Sequence, residues 1–109
     1  MTDKKIMLTT VGSQEEARTI AHALVEERLA ACVNIIPRIE SVYRWNDKVE
    51  TAEEWMLLIK TNTLNAGRAG ELVKRLHTYD LPEWICIGIS QASAEYLKWM
   101  EESVGNAPK

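Results

Sequence analysis

Glu54 and Lys60 stand six residues apart in the run Glu54–Thr61, whose alternation places both on one face of a strand with Met56 and Leu58 between them. A carboxylate and an amine flanking an apolar stretch can line a cleft between subunits that holds a small ligand. The irregular segment His77-Thr78-Tyr79-Asp80-Leu81-Pro82-Glu83 supplies His77, Tyr79 and Glu83 as further members of that cluster. The competing reading makes Glu54 and Lys60 the solvated ends of a buried strand, the lysine stem covering apolar surface. His77 is also a candidate metal ligand, because Tyr79, Asp80 and Glu83 beside it can add oxygen donors. Cys32 and Cys86 carry the soft thiolate chemistry that copper(I) favours, and Cys32 is a weaker metal candidate than His77. Neither belongs to a CxxC or Cys/His spacing, and both lie in apolar runs, where a free cysteine packs as a small hydrophobe. No nucleophile–base pair, phosphate loop or dinucleotide fingerprint is visible, so the expectation is a protein that is not an enzyme.

The rest of the chain bounds what could position these groups. At 109 residues it is expected to form a single domain over 1–109, large enough for a core without metal or disulfide staples. The 46% hydrophobic and 27% charged fractions are those of a globular protein. A net charge of −3 with interspersed signs offers no basic field for nucleic acid. No apolar run is long enough to cross a bilayer, so no membrane partner is expected. The opening Met1-Thr2-Asp3-Lys4-Lys5 leads into a short apolar run without a small-residue cleavage pattern. Cytoplasm is therefore the expected compartment, and buried free thiols fit its reducing conditions.

Lys5–Val11 is β-prone and ends at Gly12. Ser13 then caps a helix, with Glu16 placed to complete a capping box, and Ala17, Ile20, Ala21, Leu24 and Val25 form its buried stripe. His22 lies off that stripe and reads as a surface residue. A second strand begins at Cys32, is interrupted by Pro37 at an edge or a bend, and resumes at Ile39. Ile39–Trp45 and Glu54–Thr61 then form a long hairpin around Asn46-Asp47-Lys48. Thr63 is the expected cap of a second helix striped by Ala69, Leu72, Val73 and Leu76, with Gly67 and Gly70 weakening its first turns. Trp84–Ile89 reads as the last core strand, Ser93 as the cap of a C-terminal helix over Ala94–Ser103, and 104–109 as a frayed tail.

The order β-α-β-β-α-β plus a helix predicts an α+β, ferredoxin-like sandwich, with both main helices on one face of an antiparallel sheet. The other face is apolar in places and needs cover, for which symmetric self-association is the simplest source. Tyr43, Trp45 and Trp55 around the hairpin either form an aromatic recognition surface or pack a subunit interface.

Several segments in order resemble the CutA divalent-cation tolerance family. They are Glu27–Asn34, Ser41–Trp45 with Lys48-Val49-Glu50, Glu54–Thr61, Leu76–Glu83 and Tyr96–Trp99. The resemblance implies a subunit similar to the PII signalling proteins and a robust homotrimer whose hairpins join sheets across subunits, with Tyr43, Trp45 and Trp55 at the trimer interface. It also implies a role in tolerance of copper and other divalent cations, through metal or small-ligand binding. The alternative is a PII-like small-molecule sensor that signals to an unidentified protein partner. Thr78 stands where the family commonly has proline, which is expected to loosen that loop. Thr9-Thr10 replaces a cysteine that some relatives carry, so a thiolate copper site is not expected there.

Overall fold

Three helix caps and one tight turn set the course of the chain in the computed structural model, which describes residues 1–105. β1 (Lys4–Val11) leads into α1 (Gln14–Glu26), where Ser13 Oγ accepts the Glu16 N–H at 3.1 Å. Arg28, just beyond the end of α1, turns the chain at φ 59° into β2 (Cys32–Trp45). Asn46 and Asp47 both adopt positive φ, 50° and 63°, as a two-residue turn compatible with strand twist requires, and return the chain as β3 (Lys48–Asn62). Asn62, not Thr63, caps α2 (Thr63–Leu76), its Oδ1 accepting the Asn65 N–H at 2.9 Å. Asn62 wins because the strand runs one residue further than expected, which leaves Thr63 inside the first turn. β4 (Ile85–Gly88) and α3 (Ala94–Ser103, capped by Ser93) complete the fold.

The sheet order β2-β3-β1-β4, antiparallel throughout, is the split βαβ arrangement predicted from element order. α1 and α2 cover one face, where Ile20, Leu24, Leu72 and Val73 meet Met7, Val11, Leu57 and Ile59. Val25 does not join the stripe and is exposed. Gly67 is tolerated because α2 packs through its other face, whereas Gly70 lies against the Trp84 indole, where an added Cβ would be 3.0 Å from the ring.

Pro37 coincides with a break in β2–β3 register between Ile36 and Ile39, on an edge strand, where its missing N–H is tolerated. β3 is central, as its apolar character on both faces implied. It begins six residues earlier than expected, at Lys48, because β2 alone supplies ladder partners out to the tip. β1 reaches only to Trp55, so the outer hairpin is a ribbon of two strands without a third neighbour.

β4 differs from the expectation of a core strand. It is the other edge, with Ile85 and Ile87 each 46% exposed, because β1 is its only neighbour and the helices do not reach over it. The same placement leaves Cys86 exposed, and Cys32, near the start of edge strand β2, is only half-buried. Neither thiol is the buried group expected.

α3 lies across one end of the opposite sheet face, burying Met100 and Val104 with Ala31 and Ile89. The tail expected to fray from 104 is held at its start. Val104 is buried, and Gly105 donates to the Arg28 carbonyl at 2.6 Å; positions 106–109 lie outside the described residues. No helix among the described residues is long and apolar enough to cross a membrane.

Candidate functional site

Glu54 occupies the point where β3 parts from β1 and continues as hairpin alone. Its side chain is on the face opposite the main core, yet the residue is only 7% exposed. What covers it is the segment after α2. Tyr79 Oη donates to Glu54 Oε2 at 2.7 Å, a short bond of the kind an ionised acceptor makes. Burial first, then the hydrogen bond and negative charge of Glu54, raise the Tyr79 pKa well above its ordinary value, so the phenol stays a donor.

Tyr79 is itself held by three groups. Gly12 leaves room for it, since a Cβ there would sit 3.3 Å from the phenol oxygen. His77 packs against it, with ring centroids 4.8 Å apart. The His77 ring has its Nε2 2.8 Å from the Thr10 carbonyl and its Nδ1 3.2 Å from the Tyr79 N–H. A carbonyl only accepts and an N–H only donates, which assigns the neutral imidazole with the proton on Nε2. Glu16 does not close the capping box. Its carboxylate accepts from the Thr78 N–H at 3.0 Å and the Thr78 hydroxyl at 3.1 Å. Thr78 therefore anchors the loop it was expected to loosen, and the backbone donor it uses is one that proline lacks.

Together these elements form a cleft of about 560 Å³, lined by Glu54, Tyr79, Asp80 and Glu83 together with Ser41, Val42, Tyr43 and Trp45 of the hairpin. Thr10 and Leu81 complete it, and among the described residues no lysine or arginine lines it. Of the charged cluster expected from sequence, Glu54, Tyr79 and Glu83 come together. His77 supports Tyr79 from behind, with no exposed side-chain surface and both nitrogens engaged, so it presents no lone pair to a metal ion.

Lys60 is elsewhere. Six residues along a strand span about 20 Å, and Lys60 Nζ instead lies 3.3 Å from Tyr96 Oη and 5.5 Å from that ring's centroid. Trp55 also separates from Tyr43 and Trp45. It packs half-buried against the main core at the base of the hairpin, where it lines a small cleft with Gln14, Arg18, Ile35 and Pro37. Its parity puts it on the helix-covered face, whereas Tyr43 and Trp45 share the face of Glu54. Among the described residues, the hydrogen-bond partner of Cys32 Sγ is Asn34 Oδ1, at 3.8 Å. Among the described residues no three His, Cys, Asp or Glu side chains gather closely enough to hold a metal ion.

Sequence reading did not find Gly12, Thr10 or Glu16 as parts of this site. The cues were a glycine closing a strand and a helix-cap glutamate, both of which have sufficient local explanations.

Comparison with known proteins places this geometry in a family. The family model described as "CutA1 divalent ion tolerance protein" matches residues 5–103. The divalent-cation tolerance protein CutA of Thermus thermophilus is 49% identical over 102 residues, covering 94% of this chain and 99% of the relative. Its solved structure is similar with a TM-score of 0.91. The chloroplastic protein CutA of Arabidopsis thaliana is 42% identical over 93% of this chain, which spans only 56% of that relative's length. The CutA structure from Archaeoglobus fulgidus, described as a periplasmic divalent cation tolerance protein, is 37% identical with a TM-score of 0.90, covering 94% of this chain and 99% of that one. With a family match over nearly its whole length and a fold shared at that level, this chain belongs to the CutA1 divalent ion tolerance protein family.

Proposed function

We propose that this protein acts in divalent-cation tolerance, copper included, as a cytoplasmic homotrimer that binds a cation or small ligand in the Glu54–Tyr79 cleft and performs no catalysis. The observation that carries the reading is the cleft itself. Glu54, Asp80 and Glu83 line it without a basic counterpart among the described residues, and such a concentration of negative charge attracts cations. Its oxygen donors suit hard divalent ions better than copper(I), which makes copper(II) the form to test.

The trimer is supported by what the chain leaves uncovered. The two-stranded outer hairpin is marginal in water on its own. Val42, Val49 and Trp45 near its tip are half-exposed or more, and Ile85 and Ile87 on the far edge of the sheet are exposed too. Light scattering is expected to report three times 12.4 kDa, and a monomer would remove this part of the proposal. Calorimetric titration with copper(II), magnesium and zinc is expected to give saturable heat that weakens in Glu54→Gln. No saturable heat at micromolar metal would leave an indirect role in tolerance.

A second reading, a sensor like the PII proteins that relays an effector to a protein partner, is favoured by Tyr43 and Trp45, which line the cleft together with the carboxylates. It predicts that some metabolite raises the melting temperature.

A further inference from the structure

Three consecutive residues after α2 are gripped by one short stretch near the start of the chain. His77 Nε2 donates to the Thr10 carbonyl, the Tyr79 ring fills the space that Gly12 leaves, and the Thr78 N–H and hydroxyl both meet the Glu16 carboxylate. The first two contacts constrain direction weakly. The His77 bond acts through rotatable side-chain torsions, and the contact at Gly12 is van der Waals packing, small atom by atom. The third fixes the backbone. Glu16 Oε2 accepts the Thr78 N–H at 3.0 Å while Oε1 accepts the hydroxyl at 3.1 Å, and two charge-assisted bonds from one residue orient the peptide that leads into Tyr79.

Glu16 has the burial of a group with that task. It stands in the first turn of α1, where a side chain can extend into water, yet only 11% of its side chain is exposed. A carboxylate withdrawn so far from water needs donors. Among the described residues both of its side-chain donors are on Thr78. His77 Nδ1 lies 3.5 Å from Oε2 but carries no proton in the tautomer assigned above. Beyond Tyr79, Asp80 and Leu81 are exposed, so the direction set at Thr78 is what delivers the phenol to Glu54 at 2.7 Å.

We propose that Glu16 is a positioning residue for the cleft, its grip on Thr78 setting the loop so that Tyr79 donates to Glu54 and orients that carboxylate for a ligand. The last step rests on the reading of the cleft as a ligand site given above, whereas the coupling of Glu16 to Tyr79 does not. Glu16 acts from outside, since it is not among the residues that line the cleft.

The test sets Glu16→Ala, which removes both acceptors, against Glu16→Gln, whose amide oxygen accepts the Thr78 N–H and whose amide nitrogen donates to the hydroxyl. Neither disturbs the helix cap, which uses the Glu16 backbone N–H. Phenolate absorbance of the assembled full-length chain is followed to about pH 12, with circular dichroism checking the fold at each pH. The difference from Tyr79→Phe isolates Tyr79. Burial and Glu54 hold the Tyr79 pKa above 10.0, and the charge of Glu16 adds a smaller push. Glu16→Ala is expected to weaken proton binding at Tyr79 by about tenfold or more, while Glu16→Gln keeps most of it. Thr78→Val loses the hydroxyl bond and retains the N–H, so it is expected to fall between them and keeps the test open if Glu16→Ala misfolds. In copper(II) chloride titrations, Glu16→Ala and Tyr79→Phe are expected to change affinity by the same factor, and together by no more than either alone, because both act through one hydrogen bond.

Tyr79 ionisation unchanged in both Glu16→Ala and Thr78→Val would show that His77 and Gly12 position the loop unaided, and would overturn the proposal. Equal shifts in Glu16→Ala and Glu16→Gln would assign the effect to charge alone and overturn it as well. Release of Tyr79 with copper affinity unchanged would confine Glu16 to the loop and overturn its role in the site. Release of Tyr79 in a protein whose parent binds no copper saturably would sustain the coupling of Glu16 to Tyr79 and overturn the reading of the cleft as a copper site.

Discussion

Tyr79→Phe removes one oxygen and leaves the ring where it packs on Gly12 and His77. What it takes away is the 2.7 Å hydrogen bond to Glu54, a carboxylate 7% exposed. A hydrogen bond to a charged group contributes about 1.5–3 kcal/mol. Tyr79 is itself 37% exposed, so water recovers part of that loss, and the expected destabilisation is about 1–2 kcal/mol. Urea unfolding at fixed protein concentration measures it, with the midpoint falling and the slope unchanged. A second signature lies at alkaline pH. Burial and the Glu54 carboxylate hold the folded Tyr79 pKa above the ordinary 10.0. The unfolded chain therefore releases this proton first. The stabilisation it carries is complete below about pH 10 and is lost as the pH rises through the folded value. Phenylalanine cannot ionise, so that part of the alkaline decline should vanish in the variant. A loss below about 0.3 kcal/mol with an unaltered alkaline limb would mean that water already satisfies Glu54, and that Tyr79 does not position it.

The two helical glycines should separate in sign. Gly67→Ala meets nothing within 4 Å and should stabilise by about 0.5–1 kcal/mol. Gly70→Ala sets a methyl 3.0 Å from the Trp84 indole and should destabilise by about 1–3 kcal/mol despite the same gain in helix propensity, as thermal unfolding would reveal. Lys4 Nζ lies 2.6 Å from both Asp3 and Glu101, joining β1 to α3. Burial pulls its pKa down, but the hydrogen bonds and charges of those carboxylates outweigh it, and the net shift is upward from 10.5. That contribution is present at neutral pH and is lost as the pH rises through the folded value. Lys4→Met should therefore stay within about 1 kcal/mol of the parent at pH 7, where the half-exposed carboxylates rehydrate, and lose this alkaline dependence. A cost several times larger at pH 7 would show the pair to be far less compensated than its exposure implies.

Local rules made much of the fold legible. The stripe of Ala17, Ile20, Ala21 and Leu24, the caps at Ser13 and Ser93, and the positive-φ pair Asn46-Asp47 are decided within a few residues, and each is realised. Element order then restricted the sheet to the split βαβ arrangement, because crossover handedness and short connections leave few alternatives. The face shared by Ser41, Tyr43, Trp45 and Glu54 follows from strand period and register alone.

Tertiary structure decided which chemistry meets. Lys60 and Glu54 share a face, but strand rise keeps them apart and gives Lys60 to Tyr96. Glu16 reads locally as a capping-box partner, and only the return of the chain after α2 brings Thr78 to its carboxylate instead. His77 has the composition of a ligand, yet the Thr10 carbonyl, 67 residues distant in sequence, accepts its Nε2–H hydrogen bond and makes it a support. Ile85 and Ile87 have the pattern of a core strand and lie on an edge, because a run of isoleucines specifies burial without naming the surface that provides it. The sequence by itself determined the elements, since their signals are local. The site was decided in three dimensions, since its hydrogen bonds join residues that only packing makes neighbours.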